Sequence, residues 1–333
     1  MKRLTFIVIA AALLWAGFWA WSASAQKTAI ANWFDARRAE GWAADYSDLQ
    51  IFGFPNRLDT TLTAPRLGDP ESGLFWEAPF LQFFRFTYNP AHLITVWPNT
   101  QSFATPDEAI TLTTADMRAS LEMADVSRWQ PQRVILVTEG LNVASDANWD
   151  LTADVMQLSL QQSETGDAIY QLALDVRGVK GALPGWINIT GQDGNQPPIE
   201  RLTADIDLTL SAPLDRSAVE NARPQPVALR LNLADARWSG LTLAAAGDLD
   251  ITPSGTPVGQ ITVKVRNWRD MLAKERKSGR LSPRVLDQID FTLTLISGLS
   301  GNPSTLDLPF DFTNGKIWLG PLMLGDAPRI SLP

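Results

Sequence analysis

Residues 201–210 read RLTADIDLTL, and this stretch decides the fold class. Leu202, Ala204, Ile206, Leu208 and Leu210 alternate with Arg201, Thr203, Asp205, Asp207 and Thr209. Successive side chains of a strand point to opposite faces, so this segment carries one oily face and one hydrated face. A helix would scatter the same residues around its girth. The alternation recurs over 227–233, 241–245, 261–265, 289–295, 306–312 and 317–319, and upstream in Tyr170, Leu172, Leu174 and Val176. Shorter runs at 45–51, 57–65, 110–112, 117–123 and 134–137 also read as strands, the first two around a Gly53-Phe54-Pro55 turn. Over 143–162 two readings compete. Leu151, Val155, Leu158 and Gln162 have helical spacing, whereas Leu151, Ala153 and Val155 have strand spacing.

Roughly fifteen strands and two or three helices follow from this pattern. One-faced strands at short spacing argue for antiparallel meanders rather than strand–helix–strand crossovers. With so few helices to cover it, the apolar face must close as a barrel, meet a second sheet, or curl into a groove. The expected class is therefore mainly β: large curved antiparallel sheets forming a groove, sandwich or open barrel, with an N-terminal membrane helix and few short helices.

The densest apolar stretch is residues 75–98, FWEAPFLQFFRFTYNPAHLITVWP. Phe80, Phe84, Phe86 and Tyr88 share one face, and Leu81, Phe83, Arg85 and Thr87 the other. Apolar groups on both faces suit a strand covered on both sides or a greasy cavity wall. Phe80, Phe83, Phe84, Phe86, Tyr88 and Trp97 are accordingly the candidate apolar ligand-binding residues. Pro79, Pro90 and Pro98 each remove a ladder donor, so strand pairs are expected to turn near them.

At the N-terminus, Lys2 and Arg3 precede about eighteen uncharged, mostly apolar residues, Leu4 to Trp21, the pattern of an export signal or a single membrane anchor. The two cations hold the start in the cytoplasm and send the remainder across the membrane. Ala23-Ser24-Ala25 suits cleavage; the length of the run and the distal Trp15, Trp19 and Trp21 suit a retained anchor. Helices are also expected over 27–38, ended by Gly41, and over 267–277, with a turn at Ser282-Pro283. The Gly191–Pro198 stretch (GQDGNQPP) is the expected seam between halves. The resulting plan is 1–25 signal or anchor, 26–191 and 192–333 two β-rich halves, or one continuous domain. Gly-punctuated hairpins at 247–259 and 314–325 resemble each other.

No catalytic signature occurs in the sequence. The chain has no cysteine, which removes disulfides, thiolate nucleophiles and cysteine zinc sites together. Its net charge of −8 and lack of a basic stripe argue against nucleic acid. His92 is the single histidine, flanked by apolar residues, and reads as a satisfied strand-end side chain. Asp205/Asp207 and Asp248/Asp250 place paired carboxylates on strand faces, where a hard cation or acid–base work competes with plain solvation. Arg57 and Arg85 lie in apolar surroundings and read as structurally paired. No metal, cofactor or catalytic residue is assigned, and no enzyme is expected.

At Gly53-Phe54-Pro55-Asn56-Arg57, Trp76-Glu77-Ala78-Pro79, Tyr88-Asn89-Pro90-Ala91-His92 and Val96-Trp97-Pro98 the sequence resembles an uncharacterised family of single-anchor envelope proteins of alphaproteobacteria. The resemblance runs to Gly315-Lys316-Ile317 and Ala327-Pro328 and carries no established chemistry. More loosely, the C-terminal half is similar to AsmA-like envelope proteins, which implies an apolar groove and lipid handling. Together these imply a periplasmic protein on the inner membrane that binds or transfers lipid or another acyl-bearing molecule. The alternative is a structural protein with a self-filled core that docks an envelope partner.

Overall fold

Lys2 to Ala39 form a single helix, α1, because nothing between the apolar run and Gly41 breaks it: Ser22–Ala25 and the following Gln26-Lys27 are helix-tolerant. The anchor and the helix expected over 27–38 are thus one element. Gly41, at φ 90°, stops it, with Trp42 N–H donating to Arg37 O and Gly41 N–H to Arg38 O. This computed structural model describes residues 2–183, 187–188, 198–220, 223–238, 240–278, 284, 286–287, 290–291, 293–294 and 305–332. The chain forms two units, Met1–Leu151 and Thr152–Pro333. The Gly191–Pro198 seam, Pro198 excepted, and the Ser282-Pro283 turn lie outside the described residues.

The first unit contains β1 (Ala43–Asp45), β2 (Asp48–Phe52), β3 (Arg57–Thr63), β4 (Arg66–Gly68), β5 (Phe75–Glu77), β6 (Phe80–Phe86), β7 (Asn89–Val96), β8 (Thr100–Ala104), β9 (Ala109–Thr113), β10 (Asp116–Asp125) and β11 (Gln130–Ser145). All pairs are antiparallel, in the order β2-β3-β6-β7-β10-β11-β9-β8-β5-β4-β1. The order makes sense once β3/β4, β5/β6, β7/β8 and β9/β10 are read as long strands bent in the middle. β11 bends likewise at Gly140 (φ 60°), pairing β10 before the bend and β9 after it. At the bends Ala64 N–H donates to Pro79 O, Ala78 N–H to Pro65 O and Thr114 N–H to Asn99 O. Pro65, Pro79 and Pro98 occupy places where no ladder donor is required. Pro79 and Pro98 therefore mark bends, not reversals, and Pro90 is the second residue of β7; the chain reverses at Thr87-Tyr88.

β1 and β2, the ends of the pairing order, are separated by only Tyr46 and Ser47. Both press on α1, where Phe34, Ala44, Leu49 and Leu62 are buried with Trp33, Tyr46, Leu67, Leu81 and Phe83 around them. The sheet of this unit curls about the second half of α1.

The second unit begins in β12 (Asp150–Gln162) and continues with β13 (Ile169–Leu183), β14 (Ile187–Asn188), β15 (Ile199–Leu210), α2 (Arg216–Glu220), β16 (Pro226–Trp238), β17 (Leu241–Ile251), β18 (Pro257–Arg266), α3 (Trp268–Ser278), β19 (Thr305–Thr313), β20 (Lys316–Leu319) and β21 (Leu322–Asp326). Strand thus wins over helix in 150–162. From β13 the sheet is an antiparallel meander, β13-β15-β16-β17-β18-β19-β20-β21. One expected strand is overturned: within 289–295 the described residues Asp290, Phe291, Leu293 and Thr294 are helical. Leu293 packs with Leu286 against Trp268, Leu272 and Leu306, so its apolar spacing serves a helix laid on the sheet. The protein is mainly β, 57% strand, with few helices and a long apolar helix at its N-terminus.

Candidate functional site

Strand register in the second unit lines the apolar positions into rows that cross the sheet. Leu172, Ile206, Leu231, Gly247, Ile261 and Phe310 form one row. Leu174, Ala204, Ala234, Ala245, Val263 and Leu308 form the next, and Val176, Leu202, Ala236, Leu243, Val265 and Leu306 a third. The middle row is lowest at its centre, where three alanines follow one another on β15, β16 and β17. At Gly247 a side chain would strike Gln260 O at 2.1 Å, which keeps the adjoining row low on β17 too. Spanning β13 to β19, the rows extend about 24 Å at the usual ~4.8 Å strand spacing.

Both strand ends of this face are sealed. At one, Trp268 and Leu272 of α3, together with Leu286, bury Leu306. At the other, Tyr170, Leu210, Leu249 and Ile251 are buried, and Tyr170 Oη accepts from Leu214 N–H at 2.8 Å. The tail after β21 straps across the hairpin tips there: Ala327 N–H donates to Gly315 O, Ile330 N–H to Gly255 O, and Leu332 N–H to Gln225 Oε1. Between these seals Leu172, Leu174, Ala204, Ile206, Leu231, Ala234, Ala245, Ile261 and Val263 are only half-buried. Their reverse side is polar and charged. Asp175 sits between Arg177 and Arg201, Arg230 pairs with Asp248 at 2.8 Å, and Lys264 with Asp307 at 3.5 Å.

The carboxylate pairs lie on that hydrated side. Asp207, Asp248 and Asp250 border a concavity of about 850 Å³ with Arg230, Gln171 and Thr209. Asp205 accepts from Gln171 and, at 3.4 Å, from Asn232. Among the described residues no group of three metal-ligating side chains converges. The two arginines flanking Asp175 hold its carboxyl below the usual carboxylate range.

The six aromatic candidates of the first unit do not share one wall. Phe83 packs toward Phe34 on the helix side of β6. Phe84 and Phe86 lie on its other face and, with Arg57, Arg85, His92 and Ile94, line a recess of about 270 Å³. Tyr88 stacks on Phe86 with ring centroids 5.1 Å apart and is exposed at the hairpin tip. Phe80 and Trp97 are half-buried at the two bends. His92 Nε2 meets Ser120 Oγ at 2.8 Å. Arg57 pairs with Asp59, whereas Arg85 bonds Gln26 of α1 and leaves its buried Nε without a partner, and burial lowers its pKa. Inside the curl, Thr60, Gln101 and Thr138 are buried among the apolar side chains, and Trp76 Nε1–H donates to Gln101 Oε1.

A family model described as an uncharacterised protein conserved in bacteria (DUF2125) matches residues 19–328. The chain belongs to that family. No curated protein and no solved structure matches it. The match takes in all 21 strands found among the described residues but begins within α1, at Trp19. Family membership thus brings no chemistry with it, and the sheet itself must carry the reading. Most row residues were visible in the sequence as apolar strand positions, but Ala234, Ala236 and Gly247 lay outside the strand runs read there, and the register shift after Leu231 turns Leu233 to the reverse face. What stayed hidden was their alignment into a low aliphatic floor, because register between strands is not written in any one of them.

Proposed function

We propose that this is a non-catalytic envelope protein, exported and held on the inner membrane by α1, that binds or transfers lipid or another acyl-bearing molecule across the apolar face of the second unit. The observation that carries the reading is the half-buried aliphatic face itself, sealed at both strand ends and open along its middle rows. Single-sided strands normally bury their apolar face in the core. A face that stays half-open over three rows is suited to an apolar guest, each methylene of which gains about 0.8 kcal/mol on burial. Seals at the strand ends favour a guest lying across the strands, along the rows. Such a guest requires no polar catalyst, in keeping with the looser similarity of this half to AsmA-like proteins.

For the anchor, Lys2 and Arg3 ahead of the apolar run favour the orientation with the β units outside the cytoplasm. The run is exposed along its length and belongs to a helix long enough to span a bilayer. α1 also continues unbroken through Ala25, and ahead of that point Trp15 and Trp19 donate their indole N–H groups to Pro55 O and Arg57 O. Those contacts favour a helix that is kept. Native mass spectrometry of the full chain, extracted gently from membranes, should show co-purifying lipid; bare protein in repeated preparations would end the proposal. The first unit, with its filled interior, fits the alternative role of a structural or partner-docking body.

A further inference from the structure

We infer that the hairpin tips of the first unit are themselves immersed in the lipid interface beside α1, as an aromatic collar. The tips between β2 and β3, β6 and β7, and β10 and β11 share one end of the unit, because the strands reverse there in turn. Each presents an exposed aromatic ring: Phe54 at 57%, Tyr88 at 67% and Trp129 at 45%. At the opposite end the tips carry Asp69, Glu71, Asp107, Glu108 and Asp146. Rings that are apolar in body suit the lipid just beneath the headgroup zone, while carboxylates are repelled by anionic lipid and belong in water.

Bonds to α1 fix the depth of the aromatic end. Trp15 Nε1–H donates to Pro55 O at 2.9 Å and Trp19 Nε1–H to Arg57 O at 2.7 Å. Phe54 sets its edge on Trp19, centroids 5.6 Å apart. From Arg3 to Trp15 the helix rises about 18 Å at 1.5 Å per residue. A hydrocarbon core is about 30 Å thick, so a tip bonded at Trp15 lies roughly 10 Å inside its far boundary. Backbone groups at that depth need partners within the protein. Several at these tips have them: the two indoles cover Pro55 O and Arg57 O, Arg57 N–H donates to Gly53 O, and Thr87 N–H donates to Asn56 O. The inference rests on reading α1 as an anchor, and it adds that the β unit sits in the membrane surface rather than hanging below it.

The chain lacks cysteine, so single spin labels are unambiguous. Asn56→Cys and Asn89→Cys place a nitroxide in two tips without removing a ring; Asp107→Cys marks the acidic end and Leu13→Cys the anchor. The full chain is reconstituted in phosphatidylethanolamine/phosphatidylglycerol vesicles, and relaxation by oxygen and by a water-soluble nickel chelate is compared at each site, after far-UV circular dichroism has shown unchanged strand content. Positions 56 and 89 should resemble position 13, with collision rates for nickel at least fivefold below those at position 107. Labels at 56 and 89 as open to nickel as position 107, with position 13 still lipid-exposed, would overturn the collar and leave the anchor standing. A water-exposed position 13 would overturn both.

Discussion

Replacing Ala204 by aspartate is the sharpest test of the apolar face, because it puts a charge on the alanine floor of the lowest row. Ala204 stands between Leu174 and Ala234 in register and is half-buried. In the empty protein the new carboxylate reaches water, and no packed volume is removed, so the fold should tolerate it. Under an acyl chain the same carboxylate would be dehydrated without a partner, at a cost of several kcal/mol per ion. Taking about 3 kcal/mol of that, at 1.4 kcal/mol per tenfold, lipid retention should weaken about 100-fold. Two companions isolate the cause. Ala204→Leu keeps the face apolar and should retain lipid within a few-fold of wild type. Thr262→Asp puts the same charge on the hydrated face and should change nothing. Lipid per protein is counted by quantitative mass spectrometry after purification in mild detergent. Should Ala204→Asp hold as much lipid as wild type, or Thr262→Asp lose as much, the rows are not where the guest lies.

Other outcomes follow from single contacts. Phe34→Ala empties the site where α1 meets β1, β2 and β3 and should cost about 3–5 kcal/mol, read as a lower urea midpoint of the full chain; an unchanged midpoint would mean the helix is not docked. Mass analysis of the protein from membranes should find residues 1–25 still attached, since cutting after Ala25 would strip the Trp15 and Trp19 indoles from Pro55 O and Arg57 O; a chain starting at Gln26 would refute the retained anchor. Asp175 has a depressed pKa, so it stabilises the fold above the ordinary carboxylate pKa near 4 and ceases to do so as pH falls through its lowered value. Asp175→Asn should therefore be less stable than wild type at pH 7, with the gap closing in strong acid; a gap independent of pH would refute the assignment. At Gly255, φ is 79° and an added Cβ would meet Ile330 O at 3.1 Å. Gly255→Ala should cost about 1–2 kcal/mol and raise hydrogen exchange over 327–332, and unaltered exchange would mean the tail does not lean on this turn.

The architecture was readable to the extent that it rests on period-two alternation. β15, β16, β17 and β19 carry that period over long spans, and each forms where the pattern predicts. The failures have physical reasons. In 289–295 apolar residues alternate as in a strand, but Leu293 faces a ready-made surface formed by Trp268 and Leu306, and tertiary packing overrides a short local pattern. Pro79 and Pro98 signalled breaks correctly, yet a missing donor says only that the ladder is interrupted, not whether the chain reverses or bends. The bends of the first unit depend on pairings such as Ala64 N–H with Pro79 O, between residues far apart in sequence. No single segment announces them.

The richest aromatic stretch proved a poor guide to a ligand face, and the reason is energetic. A Phe or Trp gains the most by being covered, so a chain with many of them tends to spend them on its own core or on a surface that something else covers. Here Phe83 joins the α1 core, Phe84 and Phe86 line a small recess, and Tyr88 stands exposed at a tip. A surface that must release its guest has the opposite requirement: shallow, aliphatic and incompletely buried, so that the empty state is not itself unstable. Alanines at 204, 234 and 245 meet that requirement, since each exposes little apolar area when bare and leaves room above the floor when occupied. Filling the floor should then separate the two demands. Ala204→Phe combined with Ala245→Phe would supply the covering side chains from within, raising thermal stability while lowering bound lipid. If stability and lipid content instead rise together, the floor is not a vacancy kept for a guest, and the half-open rows serve the fold alone.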